Sequence, residues 1–179
     1  MPRVIVGNMA DSPAAGTAPP RHQDTREAVL FGGVYGSVLA SSMVAALTRY
    51  GHTSAEVRGY DAAWILVTAL ASALAHGYAH YIAERAPHRR WDVLRALLDE
   101  WPLVTAVLPT VFLLAGARWG WWPANGVEYA AFALNILILF VLGLLTARWS
   151  ARSWPTAVLM GLGDALLGMI VVVANALIK

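Results

Sequence analysis

A chain of 179 residues that is 58% hydrophobic and only 13% charged carries about half the charged fraction of an ordinary soluble domain. A formal net charge of +2 is too small to point to nucleic acid, and the absence of cysteine excludes disulfides, iron–sulfur clusters and thiolate metal sites. The charges are unevenly placed, leaving long apolar stretches that need lipid as their solvent.

Residues 1–27 stand apart, with four prolines, small residues and mixed charges. Their one apolar run, Val4 to Val6, is too short for a signal-peptide core, and the segment reads as a disordered cytoplasmic tail. Residues 28–179 read as one transmembrane helical domain. Five apolar segments follow one another, at about residues 28–48, 61–84, 101–117, 127–147 and 155–178. A helical span needs about 20 residues, which four segments meet; the third is the shortest and contains Pro109. The fold class expected is therefore all-α, an integral membrane bundle of about five transmembrane helices. The short loops leave no room for a separate soluble domain. An odd number of spans without an internal repeat argues against an inverted-repeat transporter built from one chain, so any symmetry would come from a homo-oligomer.

Five spans place Arg3, Arg21, Arg26, Arg85, Arg89, Arg90, Arg95, Arg148 and Arg152 on one side, and Arg49, Arg58, Arg118 and Lys179 on the other. The basic side faces the cytoplasm, which predicts a plasma-membrane protein with an internal N-terminus and an external C-terminus. Trp119, Trp121 and Trp122 suit the outer interface, Trp149 and Trp154 the inner one.

The first span repeats small residues at a spacing of four, as Gly32, Gly36 and Ala40 and as Gly33, Ser37 and Ser41. Such a face permits close helix contact, within the chain or between two copies. In the second span Thr68, Ser72, His76, His80 and Glu84 recur every fourth residue and share one helical face. A polar stripe within lipid must face protein or water. Three readings fit it: an ion or proton path, a metal-binding pair at His76 and His80, or interhelical hydrogen bonding with Glu84 in the headgroup region. In the third span Pro109 frees the carbonyl of Thr105, an arrangement that can line a cation site. Counting nine residues, about 13.5 Å of helix, from the expected inner edges puts His76, Pro109 and Asp164 near mid-membrane. His76 is then the expected partner of Asp164, the alternative being a permanently protonated Asp164 that only packs. Glu84, Asp99 and Glu100 should share a height at the inner edge, while Asp61 and Glu128 form an outer mouth or begin their helices. Asn135 and Asn175 read as interhelical hydrogen-bonders.

Catalytic motifs are scarce. His76 and His80 have the spacing of a membrane di-iron hydroxylase motif, but those enzymes need a larger histidine set and this chain has five. Neither H-E-x-x-H nor G-x-S-x-G occurs. Because His76 and His80 share a face, they can ligate a haem only across an oligomer interface.

With its glycine-rich first span, the five-span pattern resembles that of vacuolar-iron-transporter-like proteins. Those proteins carry an acidic first span and a glutamate-rich insertion after the second, and this chain has neither, so no site residue is carried over. In its Ala, Arg and Trp usage the chain also looks like small actinobacterial multi-pass membrane proteins. The expected function is ion translocation by a small channel or proton-coupled transporter along His76, His80, Glu84, Asp164, Thr105, Ser72 and Thr68, with a bound cation as the expected ligand. A membrane-bound metal or haem redox protein and a helical scaffold for a partner are the alternatives.

Overall fold

The computed structural model describes residues 21–48, 54–83 and 98–177, apart from the side chains of residues 21–25, 27, 175 and 176. Five long helices account for most of them, and no strand occurs among the described residues. They are α1 (Arg21–Leu47), α2 (Ala55–Ala83), α3 (Trp101–Arg118), α4 (Val127–Trp149) and α5 (Trp154–Leu177). Each is long and apolar enough to cross a membrane. α1 begins at Arg21, seven residues before the apolar stretch. Its first two turns are polar, and they extend a span that itself runs Ala28–Leu47.

Local chemistry sets the helix ends. Ser54 caps α2, its hydroxyl accepting from the Val57 amide at 3.3 Å. Pro102 sits in the first turn of α3, where no amide donor is needed. At the other end of α3, Trp121 N–H donates to the Gly116 carbonyl and Gly120 N–H to that of Ala117, a Schellman closure with Gly120 left-handed at φ 78°. The same closure ends α4, where Arg152 N–H donates to Ala147 and Ala151 N–H to Arg148. There Ala151 takes the left-handed position, at φ 54°.

α1 is the hub and packs against the other four helices, while α2 leans chiefly on α3 and α5 on α4. The glycine face of α1 makes this possible. A Cβ on Gly36 would stand 2.6 Å from the Leu103 carbonyl oxygen and 2.7 Å from Ala106 Cβ, and one on Gly32 would meet the backbone of Pro102 and Leu103. The small-residue face is thus buried against α3 of the same chain.

Three polar layers order the bundle along its axis. At the far end Arg58, counted above among the basic residues of the outer side, is 1% exposed. Its guanidinium donates to Glu128 at 2.7 Å, Asp61 at 3.4 Å and the Ala124 carbonyl at 3.2 Å. Asp61 and Glu128 therefore bind a buried cation instead of lining a mouth. In the middle, the buried Thr110 hydroxyl donates to Asn135 Oδ1 at 3.0 Å, joining α3 to α4 as expected of Asn135. The buried hydroxyls of Ser37 and Ser41 have no hydrogen-bond partner among the described residues. At the near end, where the chain enters the bundle, Arg26 lies over the Trp149 ring and Arg148 over Trp154, at 5.6 and 4.6 Å. Trp119 and Trp121 stand exposed at the far end.

Candidate functional site

Register between α2 and α3 decides where the polar stripe of α2 lies. These helices run antiparallel. A Cβ on Gly59 would touch the Arg118 side chain at one end, and His76 bonds Glu100 at the other. Seventeen residues of α2 thus match eighteen of α3, about 26 Å of helix. His76 is therefore level with the first turn of α3, at the near end of the bundle, and not at mid-depth. Counting inward from the end of α2 misplaces it because α2, with 29 residues, outruns the 18 of α3. Residues 77–83 continue past the start of α3.

At this level the His76 Nδ1–H donates to Glu100 Oε1 at 3.0 Å. The His80 ring, one turn on, lies with its centroid 4.8 Å from that of His76. One ligand atom from each of His76, His80 and Glu100 falls within 4.8 Å of the other two. His76 and Glu100 are half-buried and His80 is exposed, so the cluster is open on one side. The rings of Phe31 and Tyr35 on α1 close another, with centroids 5.2 and 6.3 Å from His76.

Two imidazoles and a carboxylate form a borderline donor set, suited to divalent first-row transition metals. Metal–ligand bonds of about 2.0–2.2 Å would require the three groups to draw together by roughly 1 Å. The exposed His80 side chain has the rotameric freedom for that. The spacing of His76 and His80 pointed to the pair, but nothing local in the sequence pointed to Glu100, which comes from another helix.

The remaining expected path residues are dispersed. Thr68 and Ser72 continue the stripe above His76, half-buried and with no hydrogen-bonding side-chain partner among the described residues. Thr105 is exposed on α3, and its hydroxyl donates to the Pro102 carbonyl at 3.0 Å, a bond within its own helix. Glu84 lies outside the described residues. Asp164 sits on α5 over Gly143 of α4, where a Cβ would collide with its carboxylate. No hydrogen bond or ion pair joins Asp164 to His76 among the described residues; the partner of His76 is Glu100.

Five apolar helices around a small-residue hub, with charged and aromatic groups at both ends, define a multi-pass membrane protein. Comparison with family models, with curated proteins and with solved structures finds no match.

Proposed function

We propose that this bundle translocates cations and that a divalent transition-metal ion is its cargo, first held by His76, His80 and Glu100. The observation that carries the reading is the three-ligand cluster itself, with donors from two helices within 4.8 Å. Thr68 and Ser72 add to it as the next polar groups along the same face of α2. The near end is cytoplasmic in this reading, on the count of basic residues, so the ion is met from inside. Assembly as a homo-oligomer and a relationship to vacuolar-iron-transporter-like proteins belong to the same proposal, the latter on span number and the glycines of α1.

Flux of Zn²⁺, Mn²⁺ and Co²⁺ into proteoliposomes, followed with an entrapped metal-sensitive dye, tests it. Wild-type protein should carry at least one of these ions, and His76→Ala and Glu100→Gln should each slow it at least tenfold. Glu100→Gln keeps the size of the side chain and a hydrogen-bonding oxygen, so folding is preserved while the charge is lost. Equal flux in wild type, Glu100→Gln and protein-free vesicles would leave His76–Glu100 as a structural bond between α2 and α3 and overturn the reading.

A further inference from the structure

A second feature lies beside α1 on the side of α4 and α5, and the Phe31 and Tyr35 rings that border the His76 cluster also form part of its wall. A groove of about 560 Å³ runs between α1 and α5, lined among others by Phe31, Val34, Tyr35 and Val38 of α1, Thr146 of α4 and Asp164 of α5. That volume is within the range of small-molecule sites, about 300–1,000 Å³. The wall is apolar and aromatic, and the Phe31 and Tyr35 rings stack at 6.2 Å with an 8° interplanar angle. The lining carries three polar side-chain groups, the Tyr35 hydroxyl, the Thr146 hydroxyl and the Asp164 carboxylate. The Thr146 hydroxyl is occupied, donating to the Leu142 carbonyl at 2.7 Å. The Asp164 carboxylate has no hydrogen-bond or ion-pair partner among the described residues.

We infer that this groove binds a lipophilic organic cation, with Asp164 as its counter-ion and the faces of Phe31 and Tyr35 as its wall. Charge complementarity selects the class. A carboxylate held among apolar groups calls for positive charge, and aromatic faces attract it further. An inorganic cation is disfavoured by the donor count, since hard cations take six or more oxygens and the groove offers one carboxylate and two hydroxyls. Depth excludes a lipid headgroup amine. Asp164 packs over Gly143, six residues inside the near end of α4, which is about 9 Å below that end. A tethered amine stays at headgroup level, whereas a free cation brings its own apolar body to this depth. Nor does a second copy of the chain supply the charge. Among the described side chains the five arginines, Arg26, Arg58, Arg118, Arg148 and Arg152, lie in or beside the terminal turns of their helices or, for Arg152, in the loop after α4. Asp164 is separate from the three ligands of the metal reading, which lie on α2 and at the start of α3, while the Phe31 and Tyr35 rings border both sites.

Tetraphenylphosphonium is the probe, with neutral triphenylphosphine oxide as a control of similar shape. Binding is measured by equilibrium dialysis against the full chain in lipid nanodiscs, with empty nanodiscs as the partition blank. Wild type should bind saturably, near one per chain and above the blank. Asp164→Asn, which keeps the shape over Gly143, should weaken binding at least tenfold, and Tyr35→Leu several-fold. The oxide should not compete. Non-saturable uptake equal to the blank, equal affinity in Asp164→Asn, or competition by the neutral oxide would each overturn the proposal. So would a wild-type oligomer in nanodiscs that falls apart in Asp164→Asn, since that would make a second copy the occupant.

Discussion

Arg58 shows how much one side chain can organise. A buried guanidinium is tolerable only with its charge and donors matched, and here two carboxylates and a backbone carbonyl meet them, from α2, from α4 and from the loop before α4. Removing one partner of such a pair typically costs about 3–5 kcal/mol. Arg58→Ala should therefore lower the thermal midpoint in detergent sharply. Arg58→Lys should recover only part, because an ammonium cannot span all three acceptors in one plane. A midpoint unchanged in Arg58→Ala would mean that the cluster contributes nothing to stability. The two Schellman closures give a pair of substitutions of opposite sign. Ala151 occupies a left-handed position that costs an L residue roughly 1–2 kcal/mol, whereas Gly120 occupies its counterpart freely. Ala151→Gly should raise the midpoint and Gly120→Ala lower it. The same direction of change in both would contradict this assignment. At the proposed metal cluster, protons compete with the metal for the imidazole nitrogens, so metal affinity should fall as pH falls. A titration of Co²⁺ binding by absorbance across pH 5–8 would read this, and a flat profile would count against His76 and His80 as ligands.

At the scale of helices, packing of α1 on α3 is the tightest test of the architecture. Gly36→Leu should destabilise the fold by at least the 1–3 kcal/mol typical of overpacked cores, because backbone of α3, not a flexible side-chain end, stands in the way. Gly163 has open space around it, so Gly163→Ala should be close to neutral. Unfolding in mixed detergent can compare the two, and similar losses would contradict the close approach at Gly36. The helices themselves were readable from the amino-acid sequence because lipid admits few alternatives: an apolar run of about 20 residues must be helical to satisfy its own backbone. The small-residue repeat of α1 and the hydrogen-bonding role of Asn135 were legible for similar reasons. Depth was not. Counting from a helix end assumes that end lies at the membrane edge, and α2 overruns α3 by two turns. The bond of Glu100 to His76 and the joining of Arg58 to Glu128 both depend on which helices become neighbours. That is set by the summed fit of many faces and leaves no trace at any single residue.

Across the whole molecule, α1 touches every other helix, so the bundle should unfold as one unit and not as separable hairpins. The layers also give the molecule a polarity, with His76, Glu100, Arg26 and Arg148 at one end and Arg58, Glu128 and Trp121 at the other. In the proposed orientation, which rests on the excess of basic residues, the first of these ends is cytoplasmic. A reporter fused at the C-terminus should then be active only outside the cell. A fusion active only in the cytoplasm would reverse or remove that orientation.

The unequal lengths of α2 and α3 have a consequence for the membrane itself. α3 is 18 residues, about 27 Å, and it ties the Arg118 end to the Glu100 end, so beside α3 the bundle matches a hydrocarbon layer slightly thinner than the roughly 30 Å of a typical bilayer. In long-chain lipid, acyl tails would rise over Glu100 and His80 and shield them from water; in short-chain lipid the cluster would stand clear. Acyl length would then tune the proposed metal site without any change to the protein. Metal affinity should be higher in twelve-carbon than in twenty-carbon phosphatidylcholine nanodiscs, and equal affinities would mean that the bilayer yields to α3 instead of covering it.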